Sequence, residues 1–186
     1  SVKVVIDAYD GTLESYISDP NDPLIKVYDR IFPGIMRPMT ALPPDLRAHI
    51  RYPHDIFKLQ STLYTTFHMD NPGTFYHRED QWQLPSLDNQ REASDRFTRH
   101  LIMRLPEEKD AEYIYMAPFT PRGKDNLAAW MVARNDGANY GKLRVYRFPK
   151  QSLIYGPKQI NSRINQDTEI SRPRQMWEQR GSGCVR

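Results

Sequence analysis

The sequence predicts an α+β fold: an antiparallel sheet of about five strands, built from an N-terminal hairpin and a C-terminal meander, with helices packed on one side. Three observations predict it. Residues 112–148 carry three runs rich in β-branched and aromatic residues, separated by turn signals. Residues 2–17 form two alternating runs with Asp10-Gly11 between them, a hairpin signature. Between these regions, apolar residues recur at helical spacing from Ile56 to Phe67.

Taken in order, residues 2–8 and 13–17 are the hairpin strands, and Asp10 and Gly11 hold its turn. Asp22 is placed to cap a helix with Pro23 at its first position, and Leu24, Val27, Tyr28 and Ile31 share one face. Pro33-Gly34 stops that helix, and a short one is expected over 42–50. Tyr52-Pro53 opens the main helix, whose Ile56, Phe57, Gln60, Leu63, Tyr64 and Phe67 are expected to face the sheet. Asp70-Asn71-Pro72-Gly73 ends it. Residues 75–84 give no clear signal, and 85–99 read as a flexible surface loop.

A strand over 100–105 and a turn at 106–110 lead into the central meander. Its first strand, around Tyr113, Tyr115 and Ala117, is expected to stop at Pro118 and Pro121. The second, 127–134, is apolar on both faces, which makes Trp130 a core residue whose loss should cost about 3–5 kcal/mol. Asn135-Asp136-Gly137 is the strongest reversal signal, because Gly137 adopts positive φ without steric cost. Leu143, Val145 and Phe148 form the third strand. Gly156-Pro157 opens a helix with Ile160 and Ile164, and 167–179 a second with Ile170 and Trp177, so that 157–186 is a basic helical tail on a single domain.

The chain of 186 residues is long enough to bury a sizeable core. Mean hydropathy is −0.73, yet 11 Tyr, 7 Phe and 3 Trp supply bulky core material, which argues against disorder throughout. The longest apolar run, Leu127 to Ala133, is far short of the roughly 20 residues that span a bilayer, so the chain reads as soluble. Cys184 is the sole cysteine and excludes an intrachain disulfide. The start on Ser1-Val2-Lys3, without Met, reads as a fragment of a longer protein. Charge is uneven: residues 142–186 hold ten Lys or Arg against three acids, the rest sixteen against twenty. Such a segment suits an acidic partner, anionic lipid or nucleic acid.

No catalytic constellation survives inspection. Asp7 and Asp10 resemble the carboxylate pair of haloacid-dehalogenase phosphatases, but three residues apart they point to opposite faces of an extended segment. His49 and His54 are five apart with Pro53 between them, and His68 and His77 straddle a Pro-Gly turn, so no metal site is expected. No phosphate loop, dinucleotide fingerprint or nucleophile elbow occurs, and no cofactor is expected. The candidate binding residues are basic: Lys142, Arg144 and Arg147, interleaved with Tyr140, Tyr146, Phe148 and Tyr155, together with Lys158 at a helix start. Since Arg144 and Tyr146 share one strand face and Val145 and Arg147 the other, an amphipathic strand is favoured over a nucleic-acid platform.

The ordered segments VKVVIDAYDGT, LRAHIRYPHDIF, YTTFHMDNP, FYHRED, LIMRLP, APFTPR, AWMVARNDG, YGKLRVYRFPK, YGPKQI and INQDTEIS, which cover nearly the whole chain, resemble uncharacterised protein family 0182. The resemblance implies a bacterial or cyanobacterial multi-pass membrane protein. Transmembrane helices would precede this region, and an apolar strand would follow it. It supplies no reaction and no catalytic residues. It implies a setting at the cell membrane beside the parent's transmembrane helices; the expectation built on it is an extracytoplasmic domain whose further partners are another membrane or envelope protein or anionic lipid head groups. The order of two strands, helices and three strands is similar to PAS-like and profilin-like sensors, in topology only. The leading expectation is a non-enzymatic domain that binds a ligand or partner. The alternative is a hydrolase whose site is completed by other parts of the parent.

Overall fold

A computed structural model of the chain describes residues 2–85, 97–179 and 181. The fold is α+β, but its strands divide into two sheets, of three and five strands, within two units: residues 1–50 and 51–186. Among the described residues the hairpin and the meander do not join into the single sheet of a PAS-like or profilin-like arrangement.

In the first unit, β1 (Val2–Ile6) and β2 (Leu13–Ile17) pair antiparallel, with Gly11 at φ +76° in the turn and Asp10 Oδ1 accepting from Thr12 N at 2.8 Å. The hairpin takes its third strand not from the meander but from β3 (Met36–Pro38), which lies parallel to β2 and is reached through helix α1 (Pro23–Ile31). Asp22 caps α1 at Leu24 N, 2.9 Å away. Helix α2 (Pro44–Ala48) closes the unit. Its core is small. Among large apolar residues only Tyr16 and Leu42 are buried, while Val4, Ile6 and Leu13 and, on α1, Leu24, Val27, Tyr28 and Ile31 are exposed.

The second unit is organised around β6 (Ala111–Pro121), which pairs with β7 (Ala129–Arg134) along one edge; β7 in turn pairs with β8 (Leu143–Arg147). The other edge of β6 is shared end to end by β5 (Arg99–Arg104) and β4 (Trp82–Gln83). The strand runs through Pro118, where it was expected to stop, and ends at Pro121, and the ladder shows why. Asn135 N donates to Tyr113 O, so the odd positions of β6 bond towards β7, and Arg122 N donates to Gln81 O, so the even ones bond the opposite way. On that opposite edge β5 ends at Met116 and β4 starts at Thr120, so Pro118 falls in a gap where neither strand pairs with it. Pro121 points past the start of β7, opposite Phe119.

Helix α3 (His54–Phe67) covers one face of this sheet. Phe57, Gln60 and Tyr64 turn inward as expected, joined by the buried Ser61 and by His68 at the C-cap. Ile56, Leu59, Leu63 and Phe67 instead form an exposed stripe. Both stripes have helical period; Tyr52, Trp82, Tyr115 and Phe119 select the aromatic one. Asn71 does not merely end α3 but caps a further short helix, α4 (Pro72–His77). The β7–β8 reversal starts at Asn135, and Gly137 has φ +52°. Asn135 is buried and its Oδ1 accepts from Tyr52 N at 2.5 Å, so the turn also anchors the chain entering α3.

Helices α5 (Pro157–Gln166) and α6 (Thr168–Gln179) follow, α6 running through Pro173. Of the loop expected over 85–99, residues 86–96 lie outside the described residues, as do Cys184 and the tail around it.

Candidate functional site

The second face of the five-stranded sheet has two ends of different chemistry. At one end Arg134, buried on β7, donates through Nε to Glu112 Oε2 at 2.7 Å and through Nη1 to Glu108 Oε1 at 2.8 Å, and a further Nη2 bond goes to Glu112. These bonds, that to Glu112 foremost, hold the guanidinium above its ordinary range. Arg144 joins the network, 3.5 Å from Glu108. At the other end the same face is apolar and open. Between the two ends Leu105, Ile114 and Val132 are buried, Ile114 directly opposite Arg134, and Met103, Met116, Trp130 and Tyr146 are half-buried around them. Trp130 is therefore not enclosed as the sequence led us to expect; it stacks on Tyr146 with centroids 4.6 Å apart and keeps part of its indole in the open. The sheet's enclosed centre is Ala129, Met131 and Ala133 on the α3 side.

Beside Trp130 lies a cleft of about 480 Å³. Its lining includes Met103 and Met116 from β5 and β6, Leu127 and Phe148 from the ends of β7 and β8, and Ile160 from α5; Arg99 is the one charged residue among the described lining. The α5 wall is fixed by backbone. Leu127 N donates to Ile154 O at 2.8 Å, Asn126 and Tyr155 bridge, and Gly156 lies so close that an added Cβ would stand 2.0 Å from Asp125 O. Gly156 is thus glycine for close approach rather than for its φ, a role the sequence does not advertise.

Round the end of the sheet, on the α3 side, is a second, polar cleft of about 570 Å³. Its floor is His68 stacked on Trp82. His68 Nδ1 lies 2.9 Å from Tyr64 O and Nε2 3.0 Å from Asp80 O, so each ring nitrogen faces a backbone carbonyl. Arg147 Nη2 donates to Tyr64 Oη at 2.8 Å and to His68 O at 3.2 Å, the first of which raises the guanidinium above its usual range. Lys150 pairs with Asp80 at 2.8 Å. On the β6–β7 turn, Arg122 Nη1 donates to Gln81 Oε1 at 3.3 Å, and Lys124 stands on the same rim. Leu127 and Phe148 line both clefts, which therefore adjoin at the sheet end.

The four basic candidates do not converge. Lys142 bonds Asn139 at 3.0 Å, Arg144 is on the open face, Arg147 is in the polar cleft, and Lys158 lies 3.9 Å from Asp125. The residues that sequence reasoning missed are Arg122 and Lys124; the signal was a charged Pro-Arg-Gly-Lys turn with Gly123 at φ +74°. Of the histidines, His100 stacks on Tyr115 at 4.1 Å and Tyr113 at 5.3 Å, and burial, helped by Arg51 and His54, lowers its pKa from the ordinary 6.5. No group of three or more metal-ligating side chains occurs among the described residues, nor does any helix among them reach the length and apolarity needed to cross a membrane.

No solved structure matches the chain. It is 56% identical to a UPF0182 protein of Pelobacter propionicus, 54% to one of Geobacter sulfurreducens and 53% to one of Geotalea uraniireducens, each over all of this chain and 20% of the relative. The chain thus spans about a fifth of the length of the relatives it matches. The model of the uncharacterised protein family UPF0182 matches residues 1–177, and the chain belongs to that family.

Proposed function

We propose that this chain is a non-enzymatic binding module of a longer, membrane-embedded protein, and that the cleft beside Trp130 receives the apolar part of a small ligand. The observation that carries the reading is the cleft itself: an apolar concavity of about 480 Å³, half-walled by sheet and half by the start of α5. Its size falls in the range of small-molecule sites, roughly 300–1,000 Å³, and its composition is theirs. Met103 and Met116 add flexible, polarisable surface suited to an apolar guest. The resemblance to a multi-pass family and the chain's share of its relatives' length support the setting.

Titration with phenylnaphthylamine, a neutral probe that fluoresces in apolar surroundings, tests this. Saturable binding is expected, weakened about tenfold in Trp130→Ala and in Ile160→Asp, since a lost or charged wall removes on the order of 1.5 kcal/mol of contact. Ile160 is 47% exposed, so its replacement leaves the fold intact. Unchanged affinity in both variants, with unchanged circular dichroism, would sink the reading.

A further inference from the structure

We infer that the ligand is a single-chain anionic amphiphile, its chain beside Trp130 and its head at Arg122 and Lys124. This rests on the reading of the apolar cleft above and names the class of ligand. The two clefts share Leu127 and Phe148, so a guest leaving the apolar cleft at the sheet end passes directly into the polar one. The lining of the polar cleft is net positive, with Arg78, Arg122, Lys124, Arg147 and Lys150 against Asp70, Glu79 and Asp80. Asp80 is taken by Lys150 at 2.8 Å, and Asp70 lies 3.9 Å from an Arg147 already tethered to Tyr64 and His68. Among the described residues the Arg122 side chain is hydrogen-bonded only to the neutral Gln81, and Lys124 has no ion pair. Both project from one turn, on the rim that leads to Leu127. A carboxylate or phosphate head placed there gains charge-assisted hydrogen bonds without breaking an existing pair, while its chain stays in contact with Leu127, Phe148 and Trp130.

Displacement of phenylnaphthylamine from the chain tests the inference. Decyl phosphate and decanoate are expected to displace it at lower concentration than decanol, and inorganic phosphate not at all. In the double variant Arg122→Gln, Lys124→Gln the affinity for decyl phosphate is expected to fall about tenfold or more, to that of decanol, because charge-assisted bonds contribute about 1.5–3 kcal/mol. Affinity for the neutral probe should not change. Equal displacement by decanol and decyl phosphate, indifferent to the double variant, would overturn the amphiphile while leaving the apolar cleft standing. If the probe never binds, the proposal falls together with the reading it rests on. Loss of head preference in Arg99→Gln rather than the double variant would also overturn it, as would preferential capture of the chain by intact phosphatidylglycerol vesicles.

Discussion

The imidazole of His68 lies flat on the indole of Trp82, ring centroids 3.7 Å apart and planes 18° from parallel. Trp82 belongs to a strand of only two residues, yet it joins Tyr64, Phe119 and His68 in the main core. Trp82→Ala is therefore expected to cost about 3–5 kcal/mol in urea melts, the range for a large core aromatic. Trp130→Ala should cost clearly less, since Trp130 is half-open. The reverse order would mean that the enclosed face of the sheet has been misassigned.

Arg134 and Glu112 are both buried and bonded to one another. Removing Arg134 strands the buried Glu112, whereas removing Glu112 leaves Arg134 its 2.8 Å pair with Glu108, so Arg134→Met should lose about 3–5 kcal/mol and Glu112→Leu less. The double replacement should lose much less than the sum. Additive losses in the double-mutant cycle would show that the two side chains act independently.

Gly156→Ala brings a methyl group to 2.0 Å from Asp125 O, a backbone atom that cannot step aside without moving the β6–β7 turn. A loss of about 1–3 kcal/mol is expected. Because the same contact sets the α5 wall, phenylnaphthylamine binding should weaken too. A thermal melt indistinguishable from wild type would remove Gly156 from the account.

The lowered pKa of His100 makes stability depend on pH in a definite direction. Its folded-state value is below the unfolded 6.5, so the unfolded chain binds the proton first. The contribution is complete above about pH 6.5 and is lost as pH falls through the lower folded value. Denaturation midpoints should drop on going from pH 7 to pH 5, with the drop reduced in His100→Gln. A proton NMR titration placing His100 above 6.5 would refute this.

The segments legible in sequence were those with local signals: the Asp10-Gly11 turn, the Asp22 cap of α1, the three meander strands and the Gly137 reversal. What was not legible depended on partners distant in the chain. Two apolar stripes run along α3, and only the sheet's aromatic residues decide that Phe57 and Tyr64 turn inward while Leu63 and Phe67 stay out. Pro118 reads as a strand end unless one knows that its neighbours β5 and β4 leave a gap beside it. The site was harder still. Arg147 and Lys142 looked alike as basic residues beside aromatics, but alternation sends Arg147 to a tethered place under α3. Arg122 and Lys124 sit on a turn without periodicity, where the Pro-Arg-Gly-Lys run was the one local signal.

Tyr16 and Leu42 are nearly all that residues 2–50 keep from water among their large apolar side chains. Structure held by so little enclosed surface opens often, and each opening exposes its amides to exchange. Deuterium should therefore enter β1, β2 and β3 long before β6 and β7, where Ile114, Phe119 and Val132 are sealed. The molecule would keep two clocks, a fast one over its first three strands and a slow one set at the central pair.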